Sequence, residues 1–374
     1  MYNNKDRIVL LLLILTLIFS LFTIFISSET TPSVSARAAA LYEPETDSFL
    51  YMKNGNERLG MASTTKIMTA QLALELLDLN ESIEVDKRAV GIEGSSIYLT
   101  EGEVLTAEDL VYAVLLQSAN DAAAALAYKI SGSIEAFALL MNEKARSLGL
   151  VNTSFTNPHG LDDKNHYTTA HDLAIISASA LKNDKFKEIS STYKKEIKSS
   201  EKSRILVNHN KMLKNYDGCI GVKTGFTKKC GRCLVSAAER DELIMISVTI
   251  DAPSDWSDHK KLLDYGYSRL EAKTLAYPGE FTYTLPVLNG DGEKTTVANE
   301  QFIKRIFPKG DSDFEAHVKL SRFVTAPVRE GEILGEVIFT KNGEKIASLN
   351  LVAKNTVNEI KKKKGFFSNL IKDK

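Results

Sequence analysis

The sequence predicts an α/β (α+β) unit in which an antiparallel sheet is flanked by helices, followed by a small all-β domain. Three observations predict it. Two short apolar strands, 37–42 and 48–52, surround the turn Pro44-Glu45-Thr46-Asp47 and precede a long block of helical segments. Near residue 218 the apolar period changes from helix to strand, so the first hairpin can join the later strands in one sheet. From Tyr277-Pro278-Gly279 to about Val352 no helical period is evident. A chain of 374 residues also exceeds what one core usually supports, so two domains are expected.

Taken in order, the first element is a targeting segment, residues 1–28. Lys5 and Arg7 precede an almost purely apolar run from Ile8 to Ile26, followed by Ser27 and Ser28. A positive flank before such a run keeps the N-terminus inside and sends the remainder across the membrane. Its length suits a retained anchor, whereas the small residues at Ser28 and Val34-Ser35-Ala36 suit cleavage. Both readings place the rest of the protein outside the cytoplasm. Within 36–275, the stretch 63–79 reads as one apolar helix ended by Asn80, and Thr106-Ala-Glu-Asp109 starts a helix through Leu116. A break at Gln117-Ser118-Ala119-Asn120 precedes another helix, and helices at 134–148 (stopped by Gly149) and about 170–181 follow. The Asn-, Asp-, Gly- and Pro-rich stretch 150–167 reads as an ordered loop. Strands at 219–226, 233–238 and 243–250 and a helix at about 257–270 complete the unit. The all-β domain, 277–352, contains a hairpin through Asn342-Gly343. In 355–374, four lysines at 361–364 precede Phe366, Phe367, Leu370 and Ile371, which share one helical face. A helix lying on a membrane surface and a solvated tail both fit that pattern.

Composition narrows the function. Net charge is −1, which argues against nucleic acid as a partner. Cys230-Gly-Arg-Cys233 has the spacing of a zinc half-site or redox pair, but there is no second cysteine pair and no βαβ context. The six histidines form no His-Glu-x-x-His, so metal-peptidase chemistry lacks support. No cofactor motif is present.

Three short motifs carry the chemistry: Ser63-Thr-Thr-Lys66, Ser118-Ala-Asn120 and Lys223-Thr-Gly225. On a helix, residues i and i+3 share a face, so the Lys66 amine can approach the Ser63 hydroxyl. Serine is a weak nucleophile and needs a neighbouring base; lysine serves only if burial and nearby positive charge lower its pKa. The apolar surroundings Ile67, Met68, Leu72 and Leu76 suit that requirement. The local motif is not specific, because Ser-x-x-Lys recurs at Ser179, Ser191, Ser199 and Ser257, and Ser-x-Asn recurs at Ser348. Order and placement give the specificity. Ser63 heads a helix after a hairpin, Ser118 and Asn120 sit at a break between helices, and Lys-Thr-Gly occurs once, on a strand.

With these motifs in this order, the sequence resembles the low-molecular-weight penicillin-binding proteins, specifically serine D-alanyl-D-alanine carboxypeptidases (peptidase S11 family). The resemblance covers nearly all of residues 36–352 and includes MASTTKIMTA, GSSIYL, LLQSANDAA, NTSFTNPHGLDD, NHNKML and GVKTGFTKKCGRCLVSAA. It implies removal of the terminal D-alanine from peptidoglycan stem peptides ending in D-Ala-D-Ala, and covalent acylation by β-lactam antibiotics. Carried over, it makes Ser63 the nucleophile and Lys66 its base, with Ser118 relaying a proton and Asn120 holding the substrate amide. Lys223 and Thr224 would bind the terminal carboxylate. The backbone N–H groups of Ser63 and Phe226, with Gly225 allowing close approach, would form an oxyanion hole. Phe226 departs from some relatives, and His159 is read as structural. The resemblance implies an extracytoplasmic enzyme of the bacterial cell envelope, held at or near the membrane surface. A class A β-lactamase would share the three motifs but needs Glu-x-x-Leu-Asn between the second and third, and none occurs between Ser118 and Lys223. Transpeptidation and an inactive wall-binding scaffold are the remaining alternatives.

Overall fold

In a computed structural model, residues 31–360 are described. The targeting segment 1–28 and the basic tail from 361 onward therefore lie outside the described residues.

Strand β1 (Ala38–Glu43) is apolar because both its faces are covered. Ala38, Ala40 and Tyr42 face a core shared with the helical block, and Ala39 and Leu41 face the opposite core. It pairs antiparallel with β2 (Ser48–Lys53) on one side and, across a long insertion, with β9 (Leu243–Ile250) on the other. The sheet continues through β8 (Gly231–Arg240) to an edge strand, β7 (Cys219–Thr227), giving the order β2-β1-β9-β8-β7.

The insertion supplies the helical layer. Its centre is α1 (Lys66–Leu76), whose residues 66–73 are all buried, packed against α2 (Ala107–Leu116) and the alanine-rich α3 (Asn120–Ser131). The sequence suggests a single helix from Ser63 to Leu79. Instead, Ala62–Thr65 forms a tighter 3₁₀ turn, because the Thr64 and Thr65 hydroxyls donate to the Met61 and Ala62 carbonyls. The helix ends at Leu76, ahead of a turn in which Asp78 accepts from the Asn80 N–H. Helices α4 (Ile134–Ser147), α5 (Ala170–Leu181) and α6 (Asp184–Ser191) complete this layer. Two small hairpins attach to it: β3 (Ser82–Glu84) with β4 (Val104–Thr106), and β5 (Lys194–Lys198) with β6 (Ser203–Val207). A short helix, α7 (Met212–Asn215), then leads into β7. Elements α6, β5, β6 and α7 have weak sequence signals. In the β5–β6 hairpin only Ile197 and Leu206 are fully buried among charged neighbours. On the far side of the sheet lies α8 (Asp255–Arg269), with Leu262 and Leu263 against Leu41 and Met245.

The second unit is built of strands. β10 (Leu270–Ala276) follows α8 directly and pairs with β13 (Ile303–Pro308). A six-stranded sheet contains β11 (Thr282–Leu288), β12 (Lys294–Ala298), β14 (Glu315–Leu320), β15 (Val324–Thr325), β16 (Ile333–Lys341) and β17 (Glu344–Ala353). Asn342 and Gly343 both take positive φ, 52° and 81°, which the tight β16–β17 turn requires. The expected limits 277–352 differ from this strand pairing at both ends. β10 already pairs within the unit, and bridges at Val357 and Glu359 extend it past Val352, so residues 355–360 are extended rather than helical.

One buried ion pair ties the hairpins to the rim of the helical layer. Glu103, with no exposed surface, receives both terminal nitrogens of Arg204 at 2.6 and 2.8 Å. Arg204 also donates to the Ile97 carbonyl at 2.8 Å. Removing one partner strands the other charge, so Glu103→Ala should destabilise the protein by about 3 kcal/mol, read as a lower urea midpoint. An unchanged midpoint would show that the pair contributes nothing.

Candidate active site

Three elements meet where the sequence places its motifs. The 3₁₀ turn before α1 carries Ser63, the loop between α2 and α3 carries Ser118 and Asn120, and edge strand β7 carries Lys223, Thr224, Gly225 and Phe226. They border a cleft of about 790 Å³ lined by Ser63, Ser118, Thr224, Gly225 and Phe226. Ser63 is half-buried there, and as the second residue of the turn its N–H has no partner within the helix. Gly225 is required where it stands, because a Cβ would come within 2.9 Å of the Ser63 nitrogen. Strand and turn thus approach more closely than any side chain allows.

Lys66 lies beneath the cleft with no exposed surface. Its Nζ is 3.0 Å from Ser63 Oγ, 2.6 Å from Asn120 Oδ1 and 2.6 Å from the His159 carbonyl. The Asn120 amide is oriented by its other end, since Nδ2 donates to the Glu93 carbonyl and Oδ1 is left to accept. Two of the three neighbours of Nζ are therefore pure acceptors. Burial holds the Lys66 amine well below the usual lysine pKa, and the nearby charge of Lys223 pushes the same way, with Asp121 partly opposing. A neutral amine has two hydrogens and one lone pair. In that form the two hydrogens satisfy Asn120 and His159, which leaves the lone pair available to accept from the Ser63 hydroxyl.

Lys223 is also buried and does not line the cleft. Its Nζ donates to the Thr224 carbonyl at 3.0 Å, and burial lowers its pKa to about 7. Alternation along β7 puts Lys223 and Gly225 on the face toward Ser63, and Thr224 and Phe226 on the opposite face. Thr224 lines the cleft directly, whereas Lys223 lies buried beneath it. Ser118 adopts φ +60° and makes no hydrogen bond among the described residues, leaving its hydroxyl to the cleft.

Loop residues complete the frame. The Thr65 hydroxyl lies 2.7 Å from His166 Nε2, while His166 Nδ1 accepts from the Thr156 N–H. His166 thus carries its proton on Nε2 and donates it to Thr65. Burial lowers His166 to about 4 and His159 to about 3, so both rings are neutral near pH 7. His159 contributes its backbone carbonyl, and its ring bonds no motif residue, as the structural reading expects. Asp121 receives Ser96 Oγ at 2.6 Å and the Leu99 N–H at 3.0 Å, fixing the loop whose Ser95 carbonyl accepts the Asn120 N–H. Cys230 and Cys233 are reduced and buried, and burial raises both thiols, so neither is poised as a nucleophile.

Residues 26–254 match the peptidase S11 family, D-alanyl-D-alanine carboxypeptidase. The chain belongs to this family. Residues 271–359 match the C-terminal domain of penicillin-binding protein 5. A D-alanyl-D-alanine carboxypeptidase of Bacillus subtilis, DacF, is 34% identical over 89% of this chain and 87% of its own length. Its counterpart DacC of Escherichia coli is 32% identical over 90% of this chain and 88% of its own. Among solved structures, penicillin-binding protein 5 of Haemophilus influenzae is 30% identical, with a TM-score of 0.64 covering 88% of this chain and 99% of that one. These three relatives are matched across both units of this chain.

Sequence reasoning missed the parts that act through the backbone or from outside the motifs: the Glu93 and His159 carbonyls and His166. It also passed over Gly160. That residue has φ +89°, and a Cβ there would lie 1.9 Å from the Ala62 carbonyl, inside the turn that carries Ser63. Gly160→Ala should cost more than about 2 kcal/mol by denaturant unfolding. Gly149→Ala, at φ +76° with nothing within 4 Å, should cost only about 1 kcal/mol. Equal losses at the two positions would contradict this account.

Proposed function

We propose that the cleft is the active site of a serine D-alanyl-D-alanine carboxypeptidase acting on peptidoglycan stem peptides, with Ser63 as its nucleophile. The observation that carries this reading is the position of the Lys66 amine, 3.0 Å from Ser63 Oγ with its other neighbours acceptors only. Ser63 Oγ attacks the carbonyl of the penultimate D-alanine while Lys66 takes the hydroxyl proton. The N–H groups of Ser63 and Phe226 receive the developing oxyanion. The C–N bond then breaks, Ser118 relays a proton to the departing amine, and D-alanine leaves. Water, deprotonated by Lys66, hydrolyses the resulting ester and restores Ser63. Asn120 holds the substrate amide, and Thr224 meets the terminal carboxylate over the charge of Lys223.

β-Lactams follow the same first half, because their strained amide presents an equivalent carbonyl and leaves an ester on Ser63. Among the described residues no carboxylate contacts Ser63 or Lys66, and the Asp255 carboxylate that lines the cleft is paired with Arg232. The loop 150–167 presents a carbonyl, that of His159, to Lys66, while its Asp162 bonds Thr227 and Cys230 instead. In a β-lactam the departing nitrogen stays tethered to the acyl group by the opened ring, so it is not released and shields the ester from the water that Lys66 activates; the adduct should persist. The enzyme works at the cell envelope. We further propose that the apolar N-terminal segment 1–28 exports or anchors it at the membrane surface, with 361–374 as a second contact. The catalytic and all-β units meet near Leu270.

Wild-type protein should bind a fluorescent penicillin covalently and release D-alanine from a peptide ending in D-Ala-D-Ala, and Ser63→Ala should do neither. Activity persisting in Ser63→Ala would overturn the assignment. An adduct without D-alanine release would favour the scaffold alternative, and preferential capture of an added amine would favour transpeptidation.

A further inference from the structure

The cleft does not end at Thr224. Beyond Phe226 it continues into a side pocket of about 430 Å³ lined by Lys211, Arg232, Pro253, Ser254, Asp255, Trp256 and Ser257. Lys211, Arg232, Asp255 and Trp256 border both spaces, so the two communicate. Register fixes the geometry. Phe226 pairs with Arg232 across β7 and β8, and Thr224 lies two residues away on the same face. On the reading above, the terminal residue's carboxylate sits at Thr224, so the side pocket opens on the leaving-group side of the scissile bond.

Apart from Pro253 and the Asp255 carboxylate, every side chain that lines it can donate a hydrogen bond. Arg232 is fixed by Asp255 at 2.9 Å and retains free N–H groups toward the opening. Lys211 is exposed and its amine has neither ion pair nor hydrogen bond among the described residues. The Ser254 and Ser257 hydroxyls and the Trp256 indole N–H are likewise unpaired among the described residues. The one carboxylate, Asp255, is consumed, since it also caps the Trp256 N–H at 2.9 Å. A second lysine, Lys214, stands further along the wall over the Tyr193 ring at 3.7 Å. A pocket rich in donors and poor in acceptors, beside a charged arginine and a free lysine, selects an anion.

We propose that this side pocket is a subsite for an anionic side chain on the leaving residue, with Lys211 as the specificity-determining contact. It rests on the carboxypeptidase reading and deepens it. The terminal residue need not be alanine, and one whose side chain ends in a carboxylate is preferred to its neutral isostere. The same opening admits leaving residues larger than alanine in general, but only the anion gains from Lys211 and Arg232.

The test uses the full chain and synthetic peptides N-acyl-L-Lys-D-Ala-D-Xaa, with Xaa alanine, glutamate, glutamine or lysine. For wild type, kcat/KM for the D-glutamate peptide should exceed that for D-glutamine about tenfold. In Lys211→Gln that ratio should fall toward one, and in Lys211→Glu the D-lysine peptide should overtake D-glutamate. Ratios within one variant are insensitive to any loss of total activity. Equal wild-type rates for D-glutamate and D-glutamine, or ratios unmoved by both substitutions, overturn the subsite. Failure of wild type to cleave the D-alanine peptide is a different result: it removes the carboxypeptidase reading, and the subsite with it.

Discussion

A lysine amine sealed from water, with no carboxylate in ion-pair contact among the described residues, is the constraint on which the structure depends. Burying an unpaired ammonium costs several kcal/mol, and that cost pushes the Lys66 pKa well below the usual lysine value. On the proposed mechanism the neutral amine is the form that takes the Ser63 proton. The two hydrogens of the amine must then find acceptors that offer nothing in return. Asn120 Oδ1 and the His159 carbonyl meet that condition, and the remaining lone pair is directed at Ser63.

Much of the surrounding architecture holds those two acceptors still. Asn120 is gripped at both its backbone and its side chain by the loop of Glu93 and Ser95, and Asp121 gathers the next residues of that loop. The Glu103–Arg204 pair closes the loop from outside through the Ile97 carbonyl. On the other side, His159 belongs to a segment pinned by Gly160 against Ala62 and by His166 against Thr65. Residues from three separate stretches of chain, Ser63, Asn120 and His159, therefore converge on one nitrogen. A loosened contact in any of them alters what Lys66 faces.

The sheet and helical layer were legible in the sequence because their apolar periods are clear, as in the fully buried strand Ala38–Glu43 and the helix at Ala170–Leu181. The three motifs were legible by their order. Less visible was everything held by backbone atoms, since a carbonyl such as that of His159 has no side-chain signature. The β5–β6 hairpin escaped because a charged strand with one buried residue looks like a loop. The 3₁₀ turn at Ser63 escaped because two successive threonines bend it through local hydrogen bonds that helical periodicity does not register. The lysine of β7 is the clearest case of context overriding local expectation. An edge strand normally exposes its lysines to block association, yet Lys223 points inward and is buried.

The protonation state of Lys66 tests the central claim most directly. In protein carrying ¹³Cε-labelled lysine, the Lys66 resonance, assigned by its loss in Lys66→Met, can be followed by NMR as pH is varied. The account predicts an amine already neutral at pH values where the exposed lysines remain charged, titrating well below the ordinary lysine range. A Lys66 signal that stays protonated up to about pH 10, alongside the surface lysines, would contradict it.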